Sequence, residues 1–387
     1  MVLAARRTEP VTLLQRERAL RPDIMLIVSY LALSGLGLVM IYSASAPRLL
    51  ADGKSPTDLV RRQMIFAVVG IGAFIVTSLI EHRTLKMLAP IAYVGSLISL
   101  IVVLYMPVVA GANRWIDFGF FQFQPSELAK VALILALAAL LAASQEKSLH
   151  WAEVARSVAV VAVPAVLIFK QPDLGTMLVF GFVAVAMVFS AGTTWRQFAS
   201  LTLAAVVGSV TLFKAGWIAE YQLTRITAFL DESSDVVDSN YNLIQSKIAI
   251  GSGGLFGRGL FEGAQTNLSF VPEQSTDFIF TAIGEQLGFV GATVVIGLFA
   301  VITWRLLVAA ANGRDRFSQL VAIGVAAMLV FHVFVNIGMT VRITPVTGLP
   351  LPFLSAGGTA YIAMSLALGL GHSVWMRRSP VPVDVDI

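Results

Sequence analysis

The stretch FVPEQSTDFIFTAIGEQLG, Phe270–Gly288, passes from a polar loop into an apolar run and carries Asp277 at the join and Glu285 inside. The stretch QPSELAK, Gln124–Lys130, sets Glu127 and Lys130 three residues apart, on one face of a helix that Pro125 and Ser126 suit as a start. An acid at a water–lipid boundary can serve as a general base, and a fixed cation can hold a phosphate. Each has a structural alternative. Asp277 follows Ser275 and Thr276 where a helix begins, so it can cap that helix and complement its dipole. Glu285 lies about 12 Å deeper along a helix axis, and a cap does not require a second acid there. Glu127 and Lys130 can form an ion pair that locks two helices, or Glu127 can hold a half-buried Lys130 ready for a substrate phosphate. Asp173 in KQPDLGT can cap the run that follows it.

Other polar motifs lie at the ends of apolar runs. GANRWIDFG, Gly111–Gly119, sets Arg114 and Trp115 at a membrane interface, as an anchor or as a contact to a sugar or lipid. Arg61, Arg62, Arg114, Lys170, Arg225, Lys247, Arg258 and Arg342 fall on or near one face. They are solvated loop residues, or several converge on an anion. Lys130 is the strongest single case, because a charge inside a span is costly. The glycine-rich IGSGGLFGRGLFEG, Ile250–Gly263, has no preceding strand and no following GK[ST], so it reads as tight turns over the membrane surface and not as a nucleotide loop.

The elements that position these residues are apolar spans. Of 387 residues, 57% are hydrophobic and 13% charged, and mean hydropathy is +0.81. This composition predicts an all-α polytopic membrane protein. There is no cysteine, so no disulfide or thiolate metal site, and no basic block interleaved with aromatics that would bind nucleic acid. Ten spans are expected near 24–46, 63–80, 87–107, 126–143, 155–169, 174–191, 198–218, 278–304, 317–340 and 353–375. SASA at Ser43–Ala46 resembles a signal-peptide cleavage site, but the apolar run before it is longer than such a peptide uses. Basic residues from Arg6 to Arg21, with Arg83, Lys86, Lys147, Arg156, Arg196, Arg314, Arg316, Arg377 and Arg378, mark the cytoplasmic face and put both termini inside. The expected organisation is a tail over 1–23, a membrane domain over 24–375 and a tail over 376–387. The outer loops fall near 47–62, 108–125 and 219–276, the last being the largest, with a shorter one near 341–352.

Taken together, GANRWIDFG, QPSELAK, KQPDLGT, YNLIQSKIAIGSGGLFGRGL, FVPEQSTDFIFTAIGEQLG and TGLPLPFLSAGG resemble the SEDS family of shape, elongation, division and sporulation proteins, over about 25–375. The run after Gln245 is closer to the family's elongation branch than to its division branch. A histidine common before TDF is Ser275 here, and the acidic tail VDVDI is outside the match. The resemblance implies a GT-C-like fold and a peptidoglycan glycosyltransferase that polymerises lipid II at the outer face of the bacterial cytoplasmic membrane. It implies Asp277 as the essential aspartate, and functional positions at Arg62, Trp115, Glu127, Lys130, Asp173, Lys247 and Ser355. Arg114 and Glu285 join them as substrate-site candidates, Glu285 supporting the cavity from below by pairing with a cation. The implied partners are a class B penicillin-binding protein and other elongation-complex proteins. A divalent cation, Mg or Mn, is compatible with carboxylates facing a pyrophosphate. Two rivals are a lipid II transporter, which needs no base, and a noncatalytic scaffold.

Overall fold

The computed structural model describes residues 21–107, 113–119, 121–144, 146, 148–216, 229 and 237–378. The expected tails, Lys147, Arg225, Gly111 and the first part of the 219–276 loop lie largely or wholly outside those residues. In lipid no water satisfies peptide groups, so each apolar run closes its own hydrogen bonds as a helix. The helices are α1 Ile24–Ala51, α2 Asp58–Leu79, α3 His82–Val103, α4 Pro125–Leu141, α5 Trp151–Lys170, α6 Leu174–Ser190 and α7 Trp195–Lys214. Then follow α8 Val237–Ser252, the short α9 Ala264–Asn267, α10 Ile279–Ala311, α11 Arg316–Thr340 and α12 Gly358–Met376. Two two-residue strands, β1 Ile116–Asp117 and β2 Gln122–Phe123, pair antiparallel.

A helix stands at each of the ten expected spans. Six of them, α1, α2, α3, α5, α10 and α11, are long and apolar enough to cross a membrane; α6 is apolar but shorter. The bounds differ where polarity and backbone disagree. α2 starts at Asp58, because its helix continues through Arg61 and Arg62 beyond the apolar run. α12 starts at Gly358 and not near 353, because Phe353 has φ 66° and the chain turns there. SASA lies within α1, where Ser43 is buried and donates to Gln286 Oε1 at 2.8 Å. The expected 219–276 loop contains α8 and α9, so its described part is largely folded.

Asp23 caps α1 by accepting from Leu26 N, and its own N–H donates to His372 Nε2 at 3.0 Å. The start of α1 and the end of α12 therefore share one end of the bundle. α2 and α12 pack in close contact: a Cβ on Gly369 would overlap Thr77 Oγ1 and Phe74 O. Small residues at such contacts let helix backbones approach in lipid.

α10 is broken. Gly288 has φ 65° and ψ −164° inside it. The glycine-rich segment docks at the break, and its bonds run both ways. Arg258 N donates to Glu285 O at 2.9 Å and Gly259 N to Gln286 O at 3.1 Å. Phe289 N donates to Gly254 O at 2.9 Å and Val290 N to Leu255 O at 3.1 Å. A Cβ on Gly257 or Gly288 would strike the opposing backbone. These glycines thus serve a backbone-to-backbone junction as well as the expected turns.

Candidate functional site

At the end of the bundle opposite Asp23, the starts of α4, α6, α10 and α12 converge. α4 opens with Pro125 in its first turn and Glu127 beside the helix dipole's positive end. Lys130 Nζ reaches Glu127 Oε1 at 2.8 Å and His332 Nε2 of α11 at 3.0 Å. His332 Nδ1 faces Met328 O at 2.7 Å, so that nitrogen carries the proton and Nε2 accepts from the ammonium. All three side chains are buried. Of the two expected arrangements, the Glu127–Lys130 ion pair is formed; Lys130 is not half-buried but 2% exposed, with His332 against its ammonium. Glu127, His332 and Ser355 border a cavity of about 10 Å³, close to the size of one water.

Asp173 caps α6, accepting from Thr176 N at 3.1 Å and Thr176 Oγ1 at 2.9 Å. Its other contact is Gln124 Nε2 at 3.4 Å, the cap residue of α4, so the same carboxylate also joins two helix starts. Arg114 donates Nε to Gln171 O at 2.8 Å and Nη2 to Pro172 O. Its guanidinium thus braces the turn that carries Asp173. Ser355 Oγ accepts from Leu351 N at 2.9 Å and closes the turn before α12.

Asp277 is half-buried and sits one residue before Phe278, which holds the cap position of α10. Its carbonyl accepts from Asn336 Nδ2 at 2.8 Å, and the same amide donates to Leu349 O at 2.7 Å. Ala356 N donates to Ser275 O at 2.8 Å. Asn336 and this backbone bond tie the Asp277 loop to the Ser355 turn.

Arg62 is exposed on the first turns of α2; its neighbour Gln63 accepts from Gly357 N at 3.2 Å, which sets that turn beside the Ser355 segment. Lys247 is exposed on α8, and Trp115 is half-buried just before β1. Glu285 stands apart and is fully buried. Its carboxylate accepts from Gln265 N at 2.7 Å, Thr266 N at 3.0 Å and Thr266 Oγ1 at 2.7 Å. The expected cation partner is replaced by the amides at the start of α9, which supply the same complement to a buried carboxylate. Among the described residues no group of three or more His, Asp or Glu is placed to hold a metal ion.

The sequence reading passed over His332, Gln124 and Asn336. A histidine in an apolar span carries the same cost signal as Lys130. Gln124 and Asn336 gave none, because amides at helix ends are common.

The family model described as a cell cycle protein, FtsW/RodA/SpoVE, matches residues 24–379. This chain belongs to that family. It is 35% identical over 367 residues to the probable peptidoglycan glycosyltransferase FtsW of Geobacter metallireducens, covering 94% of this chain and 96% of that one. It is 34% identical over 368 residues to the peptidoglycan glycosyltransferase MrdB of Escherichia coli K12, covering 95% and 96%. Among solved structures, it is similar to a chain of a peptidoglycan synthase complex that coordinates polymerization and crosslinking. That match has a TM-score of 0.77 and 30% identity, over 91% of this chain and 97% of that one. It is similar also to the rod shape determining protein RodA of Thermus thermophilus, with a TM-score of 0.68 and 30% identity, over 94% and 99%. Membership and the apolar helices make this a multi-pass membrane protein. The near-equal identities to FtsW and MrdB do not rank one branch of the FtsW/RodA/SpoVE family above the other.

Proposed function

We propose that this chain is a peptidoglycan glycosyltransferase that polymerises lipid II during cell elongation, at the outer face of the cytoplasmic membrane. The single observation that carries the reading is the convergence of Asp277, Ser355, Glu127, Lys130 and Asp173 at one end of the bundle. They come from four segments tied by Asn336, Gln124 and the Ala356–Ser275 bond. The accompanying topology is ten crossings with both termini cytoplasmic, and the Asp277 end facing outward. That orientation suits a sugar held on a lipid anchor: the base waits where the sugar leaves the bilayer.

The half-buried Asp277 takes the proton of the acceptor's GlcNAc 4-hydroxyl as that oxygen attacks the donor's anomeric carbon. The carbon–oxygen bond to the undecaprenyl pyrophosphate breaks, its electron pair stays with the phosphate oxygen, and the α-linked donor becomes a β-linked product. Arg62 and Lys247, both exposed, are the cations that meet the pyrophosphate. Lys130 acts from behind them, a fixed charge in a poorly hydrated wall, where electrostatic stabilisation is strongest. Arg114, Asp173 and Ser355 hold the surrounding turns, and Trp115 borders the lipid-facing side. The elongation role rests on the resemblance of the run after Gln245. The partner that fits is a class B penicillin-binding protein with other elongation-complex proteins, since the similar solved chain works in a complex that also crosslinks.

The test is lipid II polymerisation by the purified chain with its cognate transpeptidase, read as a glycan ladder. Asp277→Asn is expected to lower turnover by about 10²–10⁴-fold, the usual contribution of a positioned base. A normal ladder from a folded Asp277→Asn protein would remove Asp277 from the chemistry. No ladder from either protein, with lipid II moving between leaflets in both, would make the chain a transporter.

A further inference from the structure

We infer that residues 244–261 form a re-entrant element that enters the bilayer at the Asp277 end, where its outward side chains contact lipid acyl chains. The first observation is depth. Ser246 donates to Thr340 O at 2.7 Å, level with the last residue of α11. One turn later, Ile250 lies against Gly284, five residues into α10 and about 8 Å along it. The segment after α8 then bonds to Glu285, Gln286, Phe289 and Val290, reaching about 16 Å from the start of α10. α8 therefore runs inward, and the chain turns back within the thickness that α10 crosses.

The second observation is what this segment presents outward. Leu255 is 65% and Phe256 81% exposed, and Leu260 and Phe261 are also exposed. Ile244 and Ile248, one helical turn apart, continue the surface along α8. The exposed Phe289, Val290 and Val294 of α10 extend it, on a helix long and apolar enough to cross a membrane. Six such side chains on a water-filled loop would make a costly apolar patch; at that depth their environment is hydrocarbon.

The third observation is the backbone. Non-helical chain is tolerated at membrane depth only where its polar groups are satisfied by protein. The four bonds across the Gly288 break do this: the loop takes the carbonyls that the break leaves free and supplies acceptors to the two amides beyond it. Lys247 and Arg258 are exposed on the same element. Their long stems let the charges reach the headgroups while the methylenes lie against apolar surface.

This inference is independent of the catalytic reading and is tested without activity. The chain has no cysteine, so single-cysteine variants label cleanly. Phe256→Cys and Leu255→Cys would carry a nitroxide in nanodiscs of phosphatidylcholine and phosphatidylglycerol. Collision with oxygen and with a neutral nickel chelate would be compared with Val294→Cys on α10 and Lys54→Cys in a polar loop. The expected result is an oxygen-to-nickel ratio several-fold above that of Lys54→Cys and close to that of Val294→Cys. Strong nickel access at both loop positions would overturn the proposal in favour of a solvated loop. Shielding from both reagents would overturn it in favour of a protein cover.

Discussion

The two ends of the bundle each hold an acid, a cation and a histidine, and they use them differently. At the Asp277 end, Glu127 and Lys130 are three residues apart, and His332 closes on the lysine from another helix. At the other end, Arg305 Nε meets Asp23 Oδ2 at 2.7 Å across 282 residues of sequence. Arg305 lies 3.9 Å from the centroid of Trp375, and His372 contacts the Asp23 amide and Ser78 Oγ but not the arginine. The first set is a local charge pair with one distant clamp; the second is a staple between distant helices. Arginine suits the staple, since its planar group bonds and stacks at once, whereas lysine is a point charge that its neighbours can fix. Proximity in sequence means that the first pair itself joins no distant helices; only the His332 contact does, and Glu127 and His332 line a small cavity.

The largest effect should come from Lys130→Met, which leaves Glu127 as an uncompensated buried carboxylate and costs about 3–5 kcal/mol. Glu127→Gln with Lys130→Met removes both charges. The double variant should regain most of that stability, yet polymerise at least about tenfold more slowly, as loss of preorganised charge predicts. Thermal unfolding in detergent and the ladder assay separate the two readouts; a stable double variant of normal turnover would make the pair structural only.

Next comes Arg305→Met. It should destabilise the chain by about 3 kcal/mol, somewhat below a fully buried pair because Arg305 keeps partial solvent contact. Turnover per folded molecule should stay unchanged. A loss of turnover in fully folded Arg305→Met protein would erase the contrast between the two ends.

The smallest effect belongs to an exposed counterpart, His150 Nε2 at 2.9 Å from Glu146 Oε2. The hydrogen bond to Glu146, and then its charge, raise the His150 pKa above the ordinary 6.5. A raised folded-state pKa stabilises below the unfolded value and stops doing so as pH rises through the folded one. Glu146→Gln should return the His150 titration, followed by NMR, towards 6.5. Its small thermal deficit should appear near pH 6 and vanish near pH 9; a deficit equal at both pH values would point to packing instead of charge.

Much of this was legible in the sequence because lipid simplifies the rule: apolar runs must be helices. The runs located the helices, while the ends shifted where a helix outlasted its apolar residues, as at Arg61 and Arg62. The Glu127–Lys130 spacing exposed one pair, and the helix start ahead of Thr176 exposed the cap at Asp173. Partners far apart in sequence leave no spacing to read, so His332 and the Asp23–Arg305 staple stayed hidden. Glu285 was read as a cavity support paired with a cation, because the amides that satisfy it belong to a four-residue helix that no periodicity announces. The break at Gly288 was equally silent, since a single glycine in an apolar run is common in membrane helices.

That break bears on the order in which the chain is made. Residues 254–259 leave the ribosome before Phe289 and Val290, so the acceptors for those two amides are synthesised first. The far half of α10 can be hydrogen-bonded as it emerges, but its junction is complete only once the earlier loop has settled beside it. During biogenesis, an inserted helix with two unprotected amides at its middle would be the hallmark of a chain whose loop had missed its place.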